Sequence, residues 1–300
     1  MRFVSLVLIF IFPQNLFAQR PIAELPVPAA YARSNQQDEQ RYQAWVHPVE
    51  SAAGTASNNA RAAKAAGWKN FNLDSAERQA EALQLAALDR RVSFMKQNPG
   101  SYTSLRHFWT FVLNATRMPL DSVQALYRSF SAGLRATPLG RVLEQKLVYK
   151  EALRVGQPAP DCVFTTVDGQ RLQLSSFRNR NYVLLCLWAS WCRPCQRSIP
   201  KIRQLDSVYR AKGLQVIHIS VDTDTAAWKQ ALAYHQMPWP QTCDLPAYTG
   251  PVRLADRYDA CWVPRYYLVD KAGTIRYDSV RAHDDEGWEV LRDLLQKELN

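Results

Sequence analysis

Tyr182-Val183-Leu184-Leu185-Cys186-Leu187-Trp188-Ala189-Ser190-Trp191-Cys192-Arg193-Pro194-Cys195 decides how this chain folds. From Tyr182 to Trp188 the residues are apolar without alternation, the pattern of a strand buried on both faces. Two cysteines follow at i and i+3. A helical pattern then runs to about Lys212, where Gly213 ends it. The cysteines therefore open a helix directly after a buried strand. At that point free N–H groups and the helix dipole favour a thiolate at Cys192, and Arg193 adds a positive charge beside it. Pro194 falls in the first turn, where its missing N–H costs little. Cys195 is near enough to attack a mixed disulfide on Cys192 and close a short disulfide. Cys192 reads as the nucleophile and Cys195 as the resolving thiol. A lone Cys-x-x-Cys is also half of a zinc site. The second half is missing, because Cys243 and Cys261 are not so spaced and His218 and His235 stand alone. No metal is expected, and no cofactor other than the redox-active disulfide Cys192–Cys195.

Outward from this motif, the C-terminal half alternates strands and helices. Gly156-Gln157-Pro158-Ala159-Pro160 interrupts a helix, and two short apolar runs flank Asp168-Gly169 as a hairpin. Leu214 to Val221 is a second apolar strand, and Asp224 starts a helix reaching about His235. Two more strands, Tyr266 to Asp270 and Thr274 to Asp278, join across Lys271-Ala272-Gly273, and a last helix runs from about Asp284 to Leu299. This is an α/β sheet with helices on both faces.

The N-terminal half lacks strand signals. Helices are expected from Asp74 or Ser75, over Tyr102 to Thr116, after Met118-Pro119, and from Thr137-Pro138 to Leu153, together a small α-helical module. Residues 19–35 are rich in proline and polar side chains. Residues 50–66 are small and polar, either a weak helix or a linker, so a flexible or weakly structured lead-in is expected over 19–73. At the start, Arg2 precedes an apolar run from Phe3 to Phe12, Pro13 ends it, and Leu16-Phe17-Ala18 supplies a small residue. That is the layout of a signal peptide cleaved near Ala18, too short to span a membrane. An exported, periplasmic protein without a transmembrane segment is the expectation. Export permits disulfides, and all six cysteines lie in the C-terminal half.

The net charge of +10 is uneven, with 18 Lys/Arg against 10 Asp/Glu in residues 1–150. An acidic partner or an anionic membrane surface is one explanation, and a solvated helical face is the simpler one. No nucleic-acid-binding motif is present.

Val183 to Cys195 resembles the active-site strand and turn of the TlpA/ResA-like thioredoxin family of thiol–disulfide oxidoreductases, whose AhpC/TSA-type exported members carry an extra N-terminal module. Gly156 to Phe177 resembles that family's opening hairpin. Trp262-Val263-Pro264-Arg265-Tyr266-Tyr267-Leu268-Val269-Asp270 resembles its later segment. The resemblance implies a thioredoxin-like fold over 155–300, and the residues before it divide by their own pattern into the signal peptide (1–18), the lead-in (19–73) and the helical module (74–154). It implies that Pro264 is cis and faces the disulfide, that Val263 offers its backbone to a substrate chain, and that Trp191, Arg193 and Pro194 support the site. It also implies an enzyme that reduces disulfides of exported proteins, cytochrome c maturation being one setting, with a membrane-bound thiol reductase as electron donor. An oxidase or isomerase, and a non-enzymatic thiol-based metal-binding protein, are the alternatives. A peroxidase is disfavoured, because Ala189 stands where the peroxide-binding threonine of Thr-x-x-Cys would be.

Two departures stand out. The family or its relatives place a buried acid at the position of Cys186 or of Ser198, and neither residue is acidic here. Slower resolution by Cys195 follows, as does a less reducing couple than the roughly −270 mV of thioredoxin. Cys186 is either a third exchanging thiol or a small buried hydrophobe.

Overall fold

The structure, a computed structural model, describes residues 25–67, 72–113, 118–244, 254–279 and 285–299. The signal-peptide reading of residues 1–18 lies outside the described residues. The chain forms two compact units that divide between Leu147 and Val148.

The helical module contains α1 (Ala32–Ala66), α2 (Leu73–Gln97), α3 (Tyr102–His107), α4 (Leu120–Ser129), α5 (Ala132–Arg135) and most of α6 (Pro138–Ala152). Asn72 caps α2 and Ser101 caps α3 through their side-chain oxygens, and α3 runs on as a π turn over Phe108–Val112. The lead-in expected to be flexible or weakly structured is corrected by α1, which spans 35 residues and ends on Gly67 in the left-handed region. The cause is the smallness of its side chains. Ala53, Ser57, Ala60 and Ala63 are buried at helical spacing and admit α2 at close range. Gln84 Nε2 donates to Ser57 Oγ at 2.9 Å, and Arg91 pairs with Glu50 at 2.6 Å. Alanine also has the highest helix propensity, so low hydropathy does not prevent the helix.

The second unit begins seven residues before the expected boundary, because the last turn of α6 is built into its core. Lys150 Nζ donates to Asp259 Oδ2 at 2.6 Å, and Leu153 packs in the cluster of Val183, Leu185 and Leu187. The hairpin appears as β1 (Val163–Thr165) antiparallel to β2 (Arg171–Gln173). The main sheet holds β3 (Tyr182–Trp188), β4 (Leu214–Ser220), β5 (Gln241–Cys243), β6 (Arg265–Val269) and β7 (Ile275–Asp278), in the order β5-β4-β3-β6-β7. β3 pairs parallel with β4 and antiparallel with β6. β5 was not anticipated. It has three residues, sits at the sheet edge and carries Gln241 and Thr242, so it lacks an apolar signature.

The period of two along β3 sorts its side chains to opposite faces. Leu185 and Leu187 join Ile217, Ile219, Tyr267 and Trp228 of α8 (Thr225–His235). Leu184 and Cys186 join Val216, Tyr266 and Leu268 under α7 (Arg193–Tyr209) and α10 (Asp285–Leu299). A short α9 (Leu254–Arg257) precedes β6. This is a thioredoxin-like fold, with helices on both faces of a mixed sheet. Among the described residues no helix is long and apolar enough to cross a membrane.

Candidate active site

The parallel strands β3 and β4 deliver their C-terminal ends to one rim, the antiparallel β6 begins at that same rim, and a functional site collects there. β3 ends at Trp188, and the turn Ala189–Trp191 carries the chain into α7. Cys192 is the N-cap of α7. The Cys195 backbone N–H donates to Cys192 Sγ at 3.2 Å. Cys192 and Cys195 are joined by a disulfide with a Cα–Cα distance of 5.2 Å, and both are nearly buried, at 4% and 2% exposure. Arg193 is exposed at the first position of α7, and Pro194 follows in its first turn.

The loop before β6 covers the other side. The Val263–Pro264 peptide is cis, and the Val263 carbonyl oxygen lies 3.6 Å from Cys192 Sγ. Trp191 and Trp262, on the two segments that flank the disulfide, are 52% and 49% exposed. Trp188 is core. The structure thus brings Trp191, Cys192, Cys195, Val263 and Pro264 to one place.

Cys186 lies one layer below, opposite Tyr266 in β6 and His218 in β4. It is fully buried, and desolvation pushes its thiol well above the usual range. A thiol held neutral is a poor exchange partner, so Cys186 acts as a small hydrophobe. Cys162, Cys243 and Cys261 are thiols too.

Ser198 donates to the Cys195 carbonyl at 2.6 Å and accepts from the Tyr266 hydroxyl at 2.6 Å. Burial raises the Tyr266 phenol far above its ordinary value. Where the family or its relatives place a buried acid, two neutral hydroxyls are found here.

Asp222 holds the turn. Its carboxylate is 1% exposed. It accepts from the Ser190 backbone N–H at 2.8 Å, from Ser190 Oγ at 2.7 Å and from Ser220 Oγ. The Ser190 carbonyl in turn accepts from Gln196 Nε2. The available signal was an aspartate immediately past the end of the apolar β4. Asp224, by contrast, simply caps α8. Among the described residues no group of three or more His, Cys, Asp or Glu side chains is placed to hold a metal ion.

Residues 154–292 match the Redoxin family. The thiol-disulfide oxidoreductase ResA of Bacillus cereus is 26% identical over 126 residues, covering 42% of this chain and 69% of that protein. The ResA of Geobacillus kaustophilus is 27% identical over 127 residues, covering 42% and 70%. A solved thiol-disulfide oxidoreductase from Bacteroides fragilis superimposes with a TM-score of 0.40 at 28% identity, covering 46% of this chain and all of that one.

Proposed function

Starting from a C-terminal unit that matches the Redoxin family and is similar to the thiol-disulfide oxidoreductase ResA, we propose that this protein is an exported reductase of disulfides in other exported proteins. The observation that carries the reading is the Cys192–Cys195 disulfide at a helix N-terminus, with the Val263 carbonyl 3.6 Å from Cys192 Sγ.

In the reduced protein the Cys195 N–H, which points at Cys192 Sγ, stabilises negative charge there. The Cys192 thiolate attacks one sulfur of the substrate disulfide. That S–S bond breaks, a mixed disulfide forms on Cys192, and the first substrate thiolate leaves. Cys195, losing its proton, attacks Cys192 Sγ. This releases the second substrate thiolate and closes Cys192–Cys195. Two electrons pass from the dithiol to the substrate, and the structure holds the oxidised state. The exposed Trp191 and Trp262 contact the substrate chain, and the backbone at Val263 aligns it. A membrane-bound thiol reductase restores the dithiol. The signal-peptide layout before Ala18 supports export to the periplasm, and cytochrome c maturation is one setting that uses this chemistry.

The hydroxyl pair Ser198–Tyr266 in place of an acid favours a second reading, an oxidase running in the opposite direction. With no carboxylate beneath the cysteines, the thiolate of the reduced form gains relative stability, which makes the disulfide more oxidising.

Two measurements decide. Cys195→Ala should trap partners as mixed disulfides through Cys192, and the double variant Cys192→Ala/Cys195→Ala should trap none. Equilibration with glutathione should give a potential above about −270 mV, the value of thioredoxin, yet low enough for the wild type to reduce insulin. Failure to reduce insulin, together with oxidation of reduced test proteins, would favour the oxidase.

A further inference from the structure

The segment that presents Val263 to the disulfide is not held by a ladder of its own. Among the described residues the backbone amides of Trp262 and Val263 make no backbone hydrogen bond, and Pro264 has no N–H to give. The loop Ala260–Pro264 is instead gripped at its two ends by side chains. Asp259 precedes it and Arg265 follows it, and their charged groups approach to 3.8 Å behind the loop. Arg265 donates to Asp278 of β7 at 2.8 Å, and its guanidinium lies over the Tyr267 ring at 5.3 Å. Lys150, from the last turn of α6, donates to Asp259 at 2.6 Å. Tyr267 OH donates to the Tyr258 carbonyl at 3.1 Å and ties the same two ends a second time.

These four charges balance two against two, and their side chains are largely out of solvent, between 7% and 17% exposed. A buried pair is a poor source of net stability beside apolar packing, but removing one partner is costly, so such a group enforces a particular geometry. Asp259 also sits at φ +49°, in the left-handed region that a non-glycine side chain disfavours. The backbone is held there while its carboxylate reaches Arg265 and Lys150. The sequence offers a matching clue, because Arg265 directly follows Pro264 with no intervening residue to dissipate its position.

We propose that the Lys150–Asp259–Arg265–Asp278 network is the positioning device of the substrate-facing loop, and that Arg265 sets the register at which Val263 meets a polypeptide substrate. The inference rests on the reductase reading of the Cys192–Cys195 site. Arg265 touches no reacting atom. It acts through the loop, so its removal should weaken reaction with a polypeptide disulfide, which must align along Val263, far more than reaction with a small disulfide, which need not.

The test is single-turnover oxidation of the reduced full chain, followed by tryptophan fluorescence, with insulin and with 2-hydroxyethyl disulfide. The variant Arg265→Met/Asp278→Asn removes one charge of each sign and leaves Lys150–Asp259 paired. Its rate constant with insulin should fall at least about tenfold, and with hydroxyethyl disulfide less than about threefold. Arg265→Lys should recover most of the insulin rate, though not all, because an ammonium on a flexible stem lacks the rigid planar fork of the guanidinium. If the double variant does not fold, Lys150→Met at the edge of the network decides, with an expected insulin-selective loss of about threefold. Equal losses on both disulfides, or no loss on insulin, overturn the clamp while leaving the reductase reading intact. Wild-type protein oxidised by hydroxyethyl disulfide but never by insulin overturns the reductase reading and the clamp's part in it together.

Discussion

In the helical module partly buried charged side chains pair with one another, whereas in the redox unit a buried imidazole is enclosed by aromatic rings. Glu39 contacts His107 at 3.2 Å, Glu50 contacts Arg91 at 2.6 Å, and the Tyr42 ring stacks on His107 with centroids 3.6 Å apart. In the redox unit His218 is fully buried between Trp188 and Trp239, at centroid distances of 5.7 and 5.1 Å, beside Cys186 in the sheet. Neither of its ring nitrogens has a hydrogen-bond partner among the described residues. Pairing lets a side chain keep its charge, and apolar enclosure admits only the neutral form. Cys186 and Tyr266 are raised and His218 is lowered, so burial holds all three uncharged near neutrality. The module spends its polar groups on holding helices together. The redox unit keeps the layer below its disulfide electrically silent.

The largest expected effect separates chemistry from architecture. Cys192→Ala should lower insulin reduction by at least about a thousandfold, since removing a nucleophile disables the whole sequence of steps. Hydrogen exchange of α1 and α2 should not change. A comparable loss of protection in the module would break the division of labour drawn above. The converse variant is Phe108→Ala. Phe108 is fully buried and meets the Phe130 ring edge-on at 5.5 Å and Tyr127 at 5.8 Å. The module should lose about 3–5 kcal/mol of stability, read by denaturant melts, while the reduction potential of Cys192–Cys195 stays that of the wild type.

The same contrast explains what could be read from the residues alone. The strand–turn–helix around Cys192, the hairpin, the Pro264 segment and the closing helix announce themselves within short windows, because apolar period, cysteine spacing and turn residues agree there. α1 did not, since Ala53, Ser57, Ala60 and Ala63 look like a linker until α2 is seen packed on them. Nor did Asp259 and Arg265, whose partners include Lys150 at a sequence separation of 109. Asp222 carried a partial signal, the end of a strand. That it accepts three hydrogen bonds depends on Ser190, 32 residues away. Local grammar points to the Cys192–Cys195 pair, and tertiary pairing reveals what holds it.

Two acid-sensitive groups sharpen the comparison. Burial lowers the His218 imidazole to about 3 from an ordinary value of 6.5. Below pH 6.5 the unfolded chain takes up a proton that the folded chain refuses, so stability falls as pH drops from about 6.5 to 3 and then levels. By pH 4 the loss in the redox unit should be roughly 3 kcal/mol. It should vanish in His218→Phe, which fills the slot between the tryptophans. A slope unchanged in that variant would assign the acid response elsewhere.

The module should respond later and less. The hydrogen bond from His107 brings the Glu39 carboxyl down to about 2 from 4.5, with Gln43 and the nearby charges of His107 and Arg106 acting in the same direction against burial. A depressed carboxylate contributes stability that is present above its unfolded value and lost as pH falls through 4.5 toward 2. Glu39 is a third exposed, so solvent screening limits its contribution to no more than about 1 kcal/mol. Hydrogen exchange resolved by peptide between pH 7 and 3 distinguishes the two devices. Peptides of β4 should lose protection first, beginning below pH 6.5. Those of α1 around Glu39 should hold until below pH 4.5, and Glu39→Gln should flatten only the second response. Loss of protection in α1 ahead of β4 would reverse the assignment, because the paired carboxylate would then be the weaker point and the enclosed imidazole the stronger.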